Sequence, residues 1–242
     1  MTYWINIILQ FFIFGFAGWC MEVILKYRQF HRFINRGFLT GPILPIYGFG
    51  VILITIVVGN LASVESGVVM TFALSLVICG IVEYLTSFVL EKIFHARWWD
   101  YSHKRFNLNG RVCADTLIPF GLLGMLMVYV VKPFLFGLMD RMPEGALHVL
   151  CAALLAGIVF DAALSVTVLS KIRKTATLSG EDDTEAITRA VREHLAKNSA
   201  LARRVLAAFP YAKLYNKPLM EKIKSRRREI RREIEQKLKR QA

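Results

Sequence analysis

Five runs of this chain are apolar for long enough to cross a lipid bilayer, and that alone restricts the folds open to it. They lie at about 4–25, 43–61, 68–90, 112–131 and 146–170, against the roughly 17 to 25 residues a helix needs to span a hydrocarbon core of about 30 Å. Inside that core no water is available, so each backbone N–H and C=O must pair within its own segment, and an α-helix does so. The expected fold class is an all-α polytopic membrane protein with about five transmembrane helices. The first run is too long, and its flanks too poor in charge, for a removable signal peptide, and it is expected to remain as a helix.

The charged residues then orient the spans. Net formal charge is +13 although 55% of the residues are hydrophobic, so basic side chains must be segregated from apolar ones. Counted along the chain, the four connections carry four, none, five and two Lys or Arg. By the positive-inside rule this alternation places the amino terminus outside and the carboxyl terminus inside. Five spans, rather than four or six, bring the basic tail into agreement with the loops. The chain thus divides into a transmembrane region, 1–170, and a basic amphipathic cytoplasmic tail, 171–242.

Within that tail, Ile187, Val191, Leu195, Leu201, Val205, Leu206 and Phe209 recur at helical spacing. One amphipathic helix, or two meeting near Asn198, is expected, ended by Pro210. Residues 217–240 form a basic amphipathic stripe suited to an anionic inner leaflet, which makes membrane lipids the expected partner. Nucleic acid is the disfavoured alternative, because no recognised nucleic-acid fold accompanies the basic residues.

The informative charges are the four carboxylates inside the spans: Glu22, Glu83, Asp115 and Asp161. A carboxylate at a helix centre costs at least about 2.5 kcal/mol on insertion scales, so each needs a partner or water. All four fall in the half of the bundle assigned to the cytosol. That asymmetry predicts a polar cavity open to the cytosol and sealed by apolar side chains outside, with Arg36 and Arg111 at the span mouths as countercharges. A structural reading, in which these residues only pair or snorkel, predicts the same sequence pattern.

Two connections add polar groups to this cavity. The first, NRGFLTGPILPIYGFG at 35–50, holds four glycines, two prolines and Tyr47, a composition that bends the backbone at a membrane edge before a helix starts near Pro45. The second, ARWWDYSHKRFNLNGR at 96–111, carries Trp98, Trp99, Asp100, Tyr101, Asn109 and Arg111. Tryptophan and tyrosine suit the headgroup depth, but the aspartate and asparagines exceed what an anchoring belt needs. The candidate cavity residues are therefore Glu22, Arg36, Tyr47, Glu83, Trp99, Asp100, Tyr101, Asn109, Arg111, Asp115 and Asp161. A weak internal repeat links the two halves: Gly18…Glu22 with Gly80…Glu83, Asn35-Arg36-Gly37 with Asn109-Gly110-Arg111, and Pro45…Gly48 with Pro119…Gly121. It predicts two helical hairpins framing one site about an axis normal to the membrane.

Other chemistry leaves no signature. The four cysteines lie in or at the edges of apolar runs without metal-ligand spacing and read as packing residues. No HExxH or GxSxG motif is present, so no catalytic residue, cofactor or metal is expected. No GxxxxGK[ST] loop occurs either, so ATP hydrolysis would fall to another subunit.

The segments FGFAGWCME, NRGFLTGPILPIYGFG, the glutamate of GIVEY and WWDYS…FNLNGR, between about Phe14 and Gly124, resemble the bacterial membrane family named putative ABC-transporter type IV, a permease-like family. The resemblance implies a multi-pass protein of the bacterial cytoplasmic membrane, a transporter or permease component served by a separate ATPase subunit. Five spans are few for a complete secondary transporter, which makes a homo-oligomer a further expected arrangement. Two other function classes stand beside it: an intramembrane enzyme acting on a lipid headgroup through paired carboxylates, and a scaffold or regulator acting through its basic tail.

Overall fold

The structure, a computed structural model, describes residues 3–61, 67–139, 141–181, 183–216, 218–219, 221–223, 225 and 229. Most of the 217–240 basic stripe and the connection at 62–66 lie outside the described residues. The described chain is mostly helical. In order it forms α1 (Tyr3–Phe30), α2 (Pro45–Leu61), α3 (Gly67–Phe94), strands β1 (Ala96–Arg97), β2 (Asn107–Leu108) and β3 (Val112–Cys113), and α4 (Ala114–Leu126). A π-helical turn (Met127–Val131) leads into α5 (Lys132–Met139), followed by α6 (Glu144–Thr177), α7 (Thr184–Asn198), α8 (Ala200–Ala208) and β4 (Lys213–Leu214).

Among the described residues, four helical stretches are long and apolar enough to cross a membrane: Tyr3–Phe30, Gly67–Phe94, Ala114–Phe134 and Glu144–Thr177. The fifth apolar run forms α2, a shorter helix of 17 residues that opens on Pro45 and packs between α1 and α3. Proline is well placed in a first turn, where its missing N–H would be unpaired anyway. Helices α1 and α3 overrun their apolar segments and end alike. His31 and His95 each take φ of 51°, and their N–H groups bond back to the Tyr27 and Glu91 carbonyls. Such a left-handed residue closes a helix by satisfying a late carbonyl.

The fourth apolar run ends at about 131, just before Lys132 and Pro133. The helix nevertheless continues to Met139. The intervening turn is π-helical, and the Lys132 N–H reaches back five residues to the Met127 carbonyl. Widening the turn just before Pro133 shifts the hydrogen-bond register ahead of the proline, which has no N–H of its own to give.

The described part of the tail takes the two-helix form expected of it. Helices α7 and α8 do meet at Asn198 and Ser199, and the chain leaves helical geometry at Phe209. Their apolar faces are not spread on a surface. Ile187, Val191, Leu195, Val205 and Leu206 pack with Val168, Leu169 and Ile172 of α6, with Phe94 at the end of α3 and with Ala96 and Trp98 beyond it in one buried core. β4 pairs antiparallel with β1, matching Ala96 to Leu214 and Arg97 to Lys213. Trp98, expected at headgroup depth, is only 3% exposed, set edge-on to Phe38 and Phe209. Tail and loops thus share one hydrophobic core at the end where α1, α3 and α6 finish, the end expected to be open.

Candidate functional site

The two hairpins, α1–α2 and α3–α4, each bring a glutamate to a common region near their basic end. In the first, Gly18 lets α2 approach closely: a Cβ there would fall 2.3 Å from the Tyr47 ring. Tyr47 can therefore lie against α1 and donate its hydroxyl to Glu22 Oε1 at 3.1 Å. The other Glu22 oxygen accepts from Arg36 Nε at 3.2 Å. In the second hairpin Glu83, 5% exposed, accepts from the Thr116 hydroxyl at 3.3 Å and from the Tyr101 hydroxyl. Burial, followed by the negative charges of Glu83 and Glu22, pushes the Tyr101 phenol well above its usual range, so it remains a donor. Tyr47 and Phe120 meet edge to face between the hairpins, with ring centroids 5.8 Å apart.

The repeat suggested by the sequence has structural counterparts. Gly48 seats against Phe11 and Gly121 against Phe72. Each phenylalanine lies eleven residues before its hairpin's glutamate, Glu22 or Glu83. The loop asparagine of each half bonds an aromatic of the preceding helix: Asn35 Oδ1 accepts from Trp19 at 2.7 Å, and Asn109 Nδ2 donates to the Tyr84 hydroxyl at 3.0 Å. Where the two halves part is in their arginines.

Arg36 pairs with the buried glutamate of its hairpin, Glu22, but Arg111 passes Glu83 by and turns to the end of α3. Its guanidinium donates to Ser87 Oγ at 3.0 Å and to Glu91 Oε2 at 2.9 Å and lies against the Tyr84 and Phe88 rings. Among the described residues no lysine or arginine forms an ion pair with Glu83. The remaining predicted site residues lie apart. Asp115 has a side chain 63% exposed and pairs with Lys104 at 3.0 Å. Asp161 holds the 40–41 bend, accepting from the Thr40 and Gly41 N–H groups at 2.8 Å each and from the hydroxyls of Thr40 and Ser165.

Trp99 donates to the Arg111 carbonyl at 3.1 Å and fixes the turn into α4. Asp100 accepts from Arg97 at 3.2 Å, from the Ser102 N–H at 3.1 Å and from Lys213 of the tail at 2.7 Å. Burial opposes ionisation of Asp100, but the Lys213 and Ser102 hydrogen bonds and the Arg97 charge outweigh it and hold the carboxyl below its ordinary value.

Between the hairpins lies a cavity of about 300 Å³ walled by α1 to α4 and the π-helical turn. Its polar lining side chains are Tyr47, Cys79 and Glu83; the others are aliphatic, aromatic, methionine or glycine. The expected polar cavity is thus an apolar chamber with carboxylate and phenol at one end. Among the described residues, no three His, Cys, Asp or Glu side chains gather as metal ligands.

The tail contributes partners that sequence reasoning missed. Arg204 donates to the Gly37 and Phe38 carbonyls at 3.3 and 2.8 Å, and Arg36 donates to the Ala208 carbonyl while its guanidinium lies 5.1 Å from the Phe209 ring centroid. Nothing local distinguishes Arg204 from Arg203 beside it in α8. Thr116 was legible only in retrospect, as the hydroxyl one residue past Asp115.

A family profile described as "Putative ABC-transporter type IV" matches residues 9–166 of the 242-residue chain. The chain belongs to this family. No curated protein and no solved structure matches it. The matched segment contains Glu22, Arg36, Tyr47, Glu83, Tyr101 and Thr116, and leaves α7, α8 and β4 outside. Membership in this family and four apolar helices of spanning length make the chain a multi-pass membrane protein of transporter type.

Proposed function

We propose that the chain is the membrane-embedded, permease-like component of a transporter, and that the chamber between its two hairpins is the space through which substrate passes. The observation that carries this reading is that chamber, about 300 Å³ in volume and ending on Tyr47 and Glu83. A buried carboxylate lining a cavity inside a helical bundle is where membrane proteins place substrate and ion contacts. In this reading α2 is a fifth span and the amino terminus is outside. The folded tail lies on the cytoplasmic side of a bacterial inner membrane. ATP hydrolysis belongs to a separate subunit docking on that side, since the chain has no phosphate-binding loop.

A scaffold acting through its tail would lose function on tail deletion. With Phe94, Ala96 and Trp98 sharing a core with α7 and α8, that deletion would expose the core of the loops and says little about recruitment.

The test is purification of the full chain in nanodiscs with whatever ATPase accompanies it. Expected is a stoichiometric ATPase whose hydrolysis in proteoliposomes drops roughly tenfold for Glu83→Gln, the scale of one lost hydrogen bond to a charge. A solitary chain, or an ATPase activity indifferent to both Glu22→Gln and Glu83→Gln, overturns the reading.

A further inference from the structure

We propose, resting on the transport reading above, that the chamber takes a single-tailed hydrophobic amine in its cationic form, with the ammonium at Glu83 and the hydrocarbon along the chamber walls. Three features support it: shape, wall chemistry and charge.

The chamber is long in the direction of the helices. From Glu83, Tyr47 and Met21 at one end its lining runs along α2 to Ile54 and along α4 and the π-helical turn to Val131 at the other. Its volume of about 300 Å³ equals roughly ten water volumes. That accommodates a body of about eight to ten heavy atoms. Such a wall offers no hydrogen bond away from the Glu83 end, so a uniformly polar solute would surrender its hydration without return. An apolar tail loses nothing by leaving water.

Charge selects the head. Glu22 and Glu83 face the same region, and Arg36 is spent on Glu22 with its other contacts on the tail. Both Glu22 oxygens are engaged, one by Arg36 and one by Tyr47. Glu83 receives hydroxyls from Thr116 and Tyr101, which orient it without neutralising it. Glu22 thus has Arg36 at 3.2 Å and Lys26 one turn further along α1, whereas an ionised Glu83 has no lysine or arginine paired with it among the described residues. Uncompensated charge in a low-dielectric interior is costly, and an ammonium that brings its own donors removes the deficit. An alcohol of equal length supplies a hydrogen bond but no charge. A carboxylate of equal length meets repulsion from both glutamates.

The experiment uses the full chain in nanodiscs and a diazirine-bearing octylamine as photoprobe, with cross-linked peptides mapped by mass spectrometry. Unlabelled octylamine, octanol and octanoate serve as competitors of one length and three charges. Expected is labelling of the chamber walls on α1 to α4, displaced at least about tenfold better by octylamine than by octanol and not by octanoate. Glu83→Gln should erase the difference between amine and alcohol. Leu123→Trp, which fills the chamber and leaves the carboxylate intact, should abolish wall labelling, so a poorly folding Glu83 variant does not leave the matter open. Equal competition by amine and alcohol, wall labelling that survives Leu123→Trp, or an amine preference that survives Glu83→Gln overturns the assignment. If that happens while ATP hydrolysis still responds to Glu83→Gln, the transport reading stands and only the substrate class falls. Amine binding without any coupled ATPase has the opposite meaning.

Discussion

Glu22 is held from two sides, by a phenol on the next helix and by a guanidinium in the connecting loop, and each contact depends on a neighbour that lets it approach. Gly18 is the clearest of these. Replacing it with valine drives two methyl groups into the Tyr47 ring, and such overpacking costs about 1–3 kcal/mol. Thermal unfolding in detergent should show Gly18→Val destabilised by that amount, with Tyr47→Phe in the Gly18→Val background adding little because the hydrogen bond is already displaced. The Glu22–Arg36 pair, with side chains 23% and 17% exposed, is coupled through contact. A double-mutant cycle on Glu22→Gln and Arg36→Gln should return an interaction energy of about 0.5–3 kcal/mol, and additive losses would mean that the pair does not act together.

Elements are joined in this protein by residues that close a helix or hold a bend. His31 and His95 end α1 and α3 in the left-handed region. A β-branched residue there is strained, whereas glycine is at ease. His31→Val should cost about 1–2 kcal/mol in unfolding free energy and His31→Gly close to nothing, with the same order at His95. Asp161 acts across elements, from α6 to the 40–41 bend, accepting from two backbone N–H groups. Asp161→Ala leaves those donors without a partner and should lose about 2–3 kcal/mol; chemical denaturation that shows less than about 1 kcal/mol would mean that the bend is held by other contacts.

For the whole molecule the decisive feature is that the tail is bound to both hairpins. It reaches the first through Arg204 and Arg36 and the second through β4 on β1 and through Lys213 on Asp100. Because the Asp100 carboxyl is held below its reference value of 3.8, the folded state binds fewer protons there than the unfolded state. Its contribution is complete above pH 3.8 and fades as pH falls through the lower folded value. Limited proteolysis of the tail should therefore accelerate below pH 3.8, and Asp100→Asn should remove that part of the acceleration. Orientation is testable at the same scale: in a cysteine-free background, a cysteine at His103 should label only from the cytoplasmic side and one at Glu65 only from the outside.

What the sequence by itself determined was the class of the molecule and the places where its helices lie. Those follow from local rules, since a long apolar run in lipid must satisfy its own backbone, and glycine, proline and basic residues mark where it stops. The pairing of Asn35 with Trp19 and of Asn109 with Tyr84, and the seats of Phe11 and Phe72, give the weak repeat a spatial form that spacing alone only suggested. Only the tertiary structure decided which acid meets which base. Depth along a helix is set by sequence position, but rotation about its axis is set by packing, so Arg111 turns to Glu91 and Ser87 and not to Glu83, while Arg36 meets Glu22. The burial of Trp98 and the docking of Arg204 were likewise out of reach. Trp98 meets Phe209, and Arg204 meets Phe38, across more than a hundred residues, and an amphipathic face states that it will be covered without saying by what.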